Sequence, residues 1–136
     1  MAILEWNKKM SVGVESLDED HRKMIAIINE LQEGIQAGHK KVVLEQVLDE
    51  LVEYTQGHFS REEALFAHTD YSGAAMHKSD HMAMIQRVQN LRTRLPDRPV
   101  VMLDLELMSF LQSWLVNHIQ TTDKKYSAWL NSHGIF

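Results

Sequence analysis

The 136-residue sequence contains no cysteine. This absence excludes a disulfide scaffold, a cysteine-ligated zinc or iron–sulfur site and a thiol nucleophile. No apolar run approaches the roughly 18–20 residues that span a membrane, and no basic region followed by an apolar stretch marks a secretory signal. We therefore expect a cytoplasmic protein.

There are only two prolines, and both lie in the stretch 95–99, which is the clearest break in the chain.

Positive charge is also in short supply, with 14 Lys and Arg against 19 Asp and Glu and a net charge of −5. Nucleic acids and anionic membranes are bound by basic faces, so neither is expected as a partner. The composition, 44% apolar and 24% charged, is that of an ordinary globular protein. Its length predicts a single domain over residues 1–136.

Apolar residues recur at spacings of three and four along four segments, which is typical of amphipathic helices. After an irregular arm over 1–16, helices are predicted from about 18 to the turn near 38, and over about 41–68, 74–94 and 100–120. A short helical tail is predicted over about 123–132. The predicted apolar sides include Val43 in the second helix and Met76 in the third. The expected fold is all-α, an up-down-up-down four-helix bundle.

Histidine is present in excess, with eight residues. It is the commonest metal ligand and the side chain that titrates near neutrality. Two pairs lie four residues apart and so project from one face of a helix: His58 with Glu62, and His77 with His81. His118 and Asp123 lie five apart, which would turn them about 140° from each other on a regular helix. We therefore predict that the fourth helix ends or bulges between them.

Helix direction brings these residues to one end of the predicted bundle. His21 lies in the first turn of the first helix, and His118 lies at the end of the fourth. The pair on the second helix, His58 and Glu62, lies late in that helix, and the pair on the third, His77 and His81, lies early. Seven candidate ligands therefore share one level: His21, His58, Glu62, His77, His81, His118 and Asp123. A single histidine on an apolar helix is more often a hydrogen-bonded structural residue, but seven groups at one level make that reading improbable. His39, His68 and His133 are assigned to the surface, and the eight methionines to core packing.

A site of five histidines and two carboxylates is rich in nitrogen, which suits Fe, Zn, Cu or Ni, although the lack of thiolates disfavours Cu(I). Seven ligands exceed the six of an octahedral ion and the four of zinc. Two metal ions bridged by Glu62 and Asp123 are the economical solution. Two divalent ions and two carboxylates leave a net charge of +2, which a bridging hydroxide reduces to +1.

The complete ligand pattern resembles the hemerythrin family in its single-domain bacterial form. The resemblance rests on Asp18-x-x-His21, His58-x-x-x-Glu62, His77-x-x-x-His81 and His118-Ile119-x-x-x-Asp123, together with Trp6, Val12-Gly13-Val14 and Trp114-Leu115. It implies a non-haem di-iron centre with an oxo or hydroxo bridge and dioxygen as the ligand. It also implies the allocation of ligands: His77, His81 and His118 on one iron, His21 and His58 on the other, Glu62 and Asp123 bridging.

The resemblance further implies that Leu115 gates an oxygen pocket at the iron with two histidines. Ile119, Trp114, Ile25 and Phe59 lie within about one turn of a ligand and are candidate walls. For these four residues simple core packing is an equal alternative.

The function that follows is reversible dioxygen binding for storage, transport or delivery, without catalysis. The alternatives are a di-iron oxidase, peroxidase or nitrite reductase, an oxygen sensor, and a metal-storage protein. Dioxygen is the expected partner, and an oxygen-consuming enzyme is left open as a protein partner. We expect a monomer, because no long apolar surface stripe is apparent.

Overall fold

Every regular segment in the described part of this computed structural model, residues 4–38, 40–94 and 107–136, is helical. In chain order the elements are a 3₁₀ turn at Lys8–Met10, α1 at Glu15–Gln36, α2 at Lys41–Thr69, α3 at Ala74–Arg94, α4 at Ser109–Asn117, a π-helical segment at His118–Asp123 and α5 at Lys124–Ser132. The predicted all-α class is confirmed. The predicted break at 95–99 and the beginning of the fourth helix lie outside the described residues.

Two left-handed residues end the long helices of the first half. Gly38 has φ +73° and donates its amide to the carbonyl of Ile35, which ends the turn after α1. Asp70, with φ 55°, stops α2 and donates its amide to the carbonyl of Phe66. The chain therefore reverses twice, so that α1 packs on α2 and α2 packs on α3. No described helix is both long enough and apolar enough to cross a bilayer.

The buried face of α2 differs at its start from the predicted one. Leu44 and Leu48 are fully buried, whereas Val43 is 37% exposed. The buried positions 44, 48, 51 and 55 recur every three to four residues and continue to the polar cluster at the end of the helix. The assignment of Val43 to the apolar side was one residue out of register. Met76, 73% exposed in the first turn of α3, was also wrongly assigned to the core.

The fourth helix does not end at residue 120. It passes from α4 through the π-helical segment into α5 without a change to an irregular backbone. The predicted bulge between His118 and Asp123 is therefore confirmed. Tyr126 and Leu130 on α5 are fully buried, so the C-terminal helix is part of the core.

Side-chain hydrogen bonds hold the N-terminal arm to the bundle. Asp18 does not cap α1, which already begins at Glu15. Its carboxylate instead accepts the Val12 amide at 2.8 Å and the Ser11 hydroxyl at 2.6 Å. The Asn131 amide on α5 donates to the Gly13 carbonyl at 2.9 Å. The arm thus joins the first and last helices, and its residues Met10, Val12 and Val14 are buried.

The corrected face of α2 can be tested with two truncations. Leu44→Ala is expected to destabilise the protein by about 2–5 kcal/mol, because it leaves a cavity in the core. Val43→Ala is the matched control one position away and is expected to cost less than about 1 kcal/mol. Urea unfolding of both variants measures the difference. Equal losses would contradict the structure.

Candidate metal centre

All seven predicted ligands meet at one end of the bundle, deep in the interior. None is more than 6% exposed, and Glu62, Asp123 and His21 are fully buried. Their ligand atoms form two overlapping groups, within each of which all atoms lie within 4.8 Å of one another. One group contains His77, His81 and His118, the other contains His21 and His58, and both contain Glu62 and Asp123. The predicted convergence of these residues is confirmed.

Asp123 lies between three helices. Its Oδ1 atom is 2.9 Å from His118 Nε2 and 3.0 Å from His77 Nε2, while its Oδ2 atom is 3.1 Å from His21 Nε2. The two oxygens of one carboxylate therefore face histidines of different groups. This is the arrangement that a bridging carboxylate requires.

Glu62 lies across the cluster and also contacts both groups. Its Oε1 atom is 3.1 Å from His58 Nε2, one turn earlier on α2, and 3.2 Å from His81 Nε2 on α3. Nε2 of His77 is 3.8 Å away. The spacing of four residues on each helix brings these atoms together, as the sequence predicted.

These close approaches are not hydrogen bonds. Within the described residues, both oxygens of Glu62 and of Asp123 are buried and lack a hydrogen-bond partner, as do Nε2 of His77, His81 and His118. Buried polar atoms without partners are rare because each costs free energy. Nitrogen and oxygen atoms that crowd together without hydrogen-bonding geometry fit ligation of a cation, and the donor set suits a first-row transition metal.

The π-helical segment brings His118 and Asp123 to the same side. One extra residue per turn reduces the angle between two positions five apart, so that both side chains enter the cluster. Their ligand atoms lie 2.9 Å from each other, and both residues are buried. Single π-helical turns are frequently found at functional sites, and this one aligns two ligands that a regular α-helix would separate.

The buried charges stabilise one another in the metal-free protein. Burial alone would lower the pKa of His58, but the charge of Glu62 and the hydrogen bond to Asp20 raise it to about 9. Burial likewise acts to lower the pKa of His77, but the carboxylates of Asp123 and Glu62 raise it to about 9. Although burial favours the neutral acid, the charge of His58 holds the pKa of Glu62 well below its ordinary value.

A polar group behind the cluster was missed by the sequence analysis. Asp20, only 6% exposed, accepts hydrogen bonds from His58, Arg61 and Tyr54. Burial acts to raise its pKa, but these donors hold the pKa well below the ordinary value for a carboxyl. The sequence signal for Asp20 is weak, because it is one of three consecutive acidic residues at positions 18–20 near the beginning of a helix, where acidic residues are common. Glu63 plays a looser part, with an oxygen 3.3 Å from Nδ1 of His81.

Aromatic and aliphatic side chains enclose the ligands. Phe59 stacks on His81 at a centroid distance of 3.6 Å, and Trp114 stacks on His118 at 4.4 Å. Leu115 and Ile119 are buried on the fourth helix, and Ile25 is buried on α1. The candidate gate and the four candidate wall residues therefore lie in or against the core, and Phe59 and Trp114 stack directly on candidate ligands. His68 and His133 are exposed as predicted, and His39 lies outside the described residues.

A family model described as the hemerythrin HHE cation binding domain matches residues 12–130, most of the chain. The chain belongs to the hemerythrin family. Within hemerythrins, similar relatives include bacteriohemerythrin of Stenotrophomonas maltophilia, 33% identical over 98% of this chain and 85% of that protein. Bacteriohemerythrin of Pseudomonas aeruginosa PAO1 is 34% identical over 93% of this chain and 80% of that protein.

Solved hemerythrin structures have the same fold. A wild-type hemerythrin crystal structure superposes with a TM-score of 0.87 at 26% identity, covering 95% of this chain and 98% of that one. A structure of a hemerythrin in which one leucine is replaced by alanine has the same TM-score and identity. Membership of the hemerythrin family and the cluster of histidines and carboxylates together support a non-haem iron site in this protein.

The raised pKa values of His58 and His77 predict proton release on metal uptake. With pKa values of about 9, both imidazoles are expected to be cationic at neutral pH in the metal-free protein, with a proton on each nitrogen, and Nε2 must lose its proton before it can ligate a metal. Below pH 9, protons therefore compete with metal, so the apparent affinity for Zn²⁺ is expected to rise steadily from pH 6.5 to 8.5. Calorimetric titrations in buffers of different ionisation enthalpy would measure the released protons. An affinity independent of pH would contradict the electrostatic description.

Proposed function

We propose that this hemerythrin holds two non-haem iron ions and binds dioxygen reversibly. The observation that carries the proposal is the division of the cluster into two groups that share Glu62 and Asp123. Two shared carboxylates between sets of histidines are suited to two metal ions and not to one. The same geometry supports an allocation of His77, His81 and His118 to one ion and of His21 and His58 to the other.

Ligand counts support an open position on one side only. The group with three histidines offers five protein ligands and the group with two offers four. One bridging oxo or hydroxo group shared by both ions would bring these totals to six and five. An ion held by His77, His81 and His118 would then have its six ligands, and the ion held by His21 and His58 would keep a free position at which dioxygen could bind. When bound, the iron pair supplies the reducing electrons and the coordination site for dioxygen.

The protein's own contribution is to bury the site and exclude water. The ligands are at most 6% exposed, and the buried Leu115, Ile119 and Phe59 surround them with apolar atoms. Charge interactions in such an environment are strong, and bulk water is kept away. These residues offer no acidic proton, which favours release of intact dioxygen over its reduction. We therefore propose an oxygen carrier or store, and not an enzyme.

The decisive experiment is an optical titration of the protein loaded with Fe(II) in the absence of oxygen. A new visible absorption band is expected on addition of oxygen and should disappear when oxygen is removed, over repeated cycles. Glu62→Gln is the control, because it keeps the shape of a proposed bridge and removes its charge, and it should lose metal. Irreversible conversion to a ferric form, or sustained oxygen consumption with a reductant, would overturn the carrier proposal in favour of an oxidase or peroxidase.

Leu115 is proposed as the gate of the oxygen pocket. It lies three residues before His118, on the same side of the fourth helix, and is 2% exposed. Leu115→Ala is expected to retain both iron ions and to change the rate of oxygen dissociation or of autoxidation by severalfold, because water and oxygen pass more easily. Stopped-flow deoxygenation and the slow loss of the oxygenated spectrum measure these rates. The matched control is Leu111→Ala, which removes an equally buried leucine one turn further from the ligands. Rates equal to those of the control would refute the gate.

The proposed physiological setting follows from charge and composition. The acidic balance of the protein, with a net charge of −5, is consistent with dioxygen as the main partner and with no role in binding nucleic acid or membranes. We propose a single-domain cytoplasmic monomer that stores or transports dioxygen or delivers it to enzymes that consume it.

A further inference from the structure

The carboxylate of Asp20 is saturated by hydrogen bonds directly behind one proposed ligand. Nδ1 of His58 lies 2.8 Å from Asp20 Oδ2, and the Tyr54 hydroxyl donates to Oδ1 at 2.8 Å. Arg61 donates to both oxygens, from Nε and Nη2, each at 2.8 Å. The carboxylate thus accepts from an imidazole, a phenol and a bidentate guanidinium. Such charge-assisted pairs are the strong and directional ones.

The other histidine of the same group is supported quite differently. Nδ1 of His21 is buried and has no hydrogen-bond partner within the described residues. The contact of His81 with Glu63 is longer, at 3.3 Å, and the Glu63 side chain is 28% exposed. Of these three histidines, His58 therefore has the shortest contact between Nδ1 and a carboxylate, and Asp20 is more deeply buried than Glu63.

Local sequence allows Arg61 to reach this position. Arg61 lies one turn after Gly57 on α2, and a Cβ atom at Gly57 would lie only 3.3 Å from a guanidinium nitrogen of Arg61. The guanidinium also lies over the ring of Tyr54 at 5.5 Å. Its side chain is 48% exposed. The polar contacts therefore run from the buried ligand His58 through Asp20 to a cation at the surface.

We propose that Asp20 is a positioning residue for His58, and that Arg61 sets how much negative charge Asp20 imposes on that imidazole. Once His58 has lost its second proton on metal uptake, the hydrogen bond to Asp20 keeps the remaining proton on Nδ1 and leaves the Nε2 lone pair free to ligate. The bidentate contact with Arg61 fixes the plane of the carboxylate and neutralises part of its charge. Outer-shell carboxylates of this kind fix the tautomer of a ligating histidine and increase its basicity.

This inference rests on the proposed metal centre, and it adds a prediction of asymmetry. Asp20 contacts one histidine of the group with two histidines, and in the described part of the chain its hydrogen bonds go to His58, Tyr54 and Arg61 and not to the group of three. Changes at Asp20 should therefore affect one metal position more than the other. Since the proposed oxygen-binding position is on the affected side, Asp20 and Arg61 would adjust the more reactive half of the site.

The first test compares Asp20→Ala with Asp20→Asn by Zn²⁺ titration and by ¹⁵N NMR of the histidine side chains. In Asp20→Ala, His58 is expected to lose its fixed tautomer, and the affinity for one of two Zn²⁺ equivalents to fall about 10- to 100-fold. Asp20→Asn keeps an acceptor for the Nδ1 proton without the charge. It should retain the tautomer and show an intermediate affinity. The signals of His118 report on the other group and should change little.

Asp49→Ala is the matched control for loss of a carboxylate paired with arginine. Asp49 lies on α2, the helix that carries His58, and forms a bidentate pair with Arg92 on α3 at 2.7 and 3.2 Å. It lies nine residues before His58, which is about 14 Å along α2. This variant should match the unmodified protein in tautomer, zinc affinity and iron potential.

The second test uses Arg61→Gln, a change at a half-exposed side chain that leaves the fold intact. Removal of the cation leaves more negative charge on Asp20, so the reduction potential of the iron-loaded protein should become more negative. Asp20→Ala should shift the potential in the opposite direction. A merely structural role would move both potentials the same way.

The outcomes separate this inference from the proposed function. If the unmodified protein fails to bind two metal ions, the proposed function itself fails. If it binds two ions and Asp20→Ala leaves the His58 tautomer and both affinities unchanged, only the role of Asp20 is refuted. Equal loss of affinity at both positions, with a disturbed His118 signal, would also refute the asymmetry.

Discussion

The burial of two carboxylates in the middle of a helical bundle governs the structure of this protein. Glu62 and Asp123 are fully buried, and their oxygens have no hydrogen-bond donor in conventional geometry within the described residues. An isolated carboxylate in an apolar interior costs many kcal/mol unless its charge is compensated. In the metal-free protein, protonated imidazoles provide part of this compensation, as the raised pKa values of His58 and His77 indicate. The two cations proposed for this site would compensate the charge more completely and leave the histidines neutral.

The bundle positions the ligands with little distortion of its helices. Spacings of four residues on α2 and α3 place two ligands on one face, and α1 supplies His21 from its first turns. Among the helices that the structure describes, the fourth departs from regular α-helical geometry, where the π-helical segment brings His118 and Asp123 into the same cluster. α5 follows this segment directly, and its residues Tyr126 and Leu130 are buried. The arm, pinned through Asp18, closes the same end of the bundle.

The convergence of the seven candidate ligands was predictable because helical periodicity and direction determine where a residue lies. A helix end or bulge between His118 and Asp123 was predictable for the same reason, since positions five apart point about 140° from each other on an α-helix. It was less predictable which residues near the end of a helix form its buried apolar face. Val43 and Leu44 are equally apolar, and only packing against α1 decides which is buried. The role of Asp20 was not predictable, because its partners on α2 lie 34 to 41 residues away in sequence.

The candidate ligands and the residues hydrogen-bonded behind them meet different physical requirements. The proposed ligands must be buried in apolar surroundings if water is to be kept from bound ions, and the stacked Phe59 and Trp114 contribute to this burial. If every group that acts on the site were buried, however, its metal affinity and reduction potential could be changed only by substituting the ligands themselves. The hydrogen bonds from His58 through Asp20 to the half-exposed Arg61 avoid this restriction. Because the interior has a low effective dielectric, a charge at Asp20 acts on His58 far more strongly than it would in water. We therefore expect substitutions at Arg61 to change the reduction potential at one proposed metal position while every candidate ligand and wall residue stays in place.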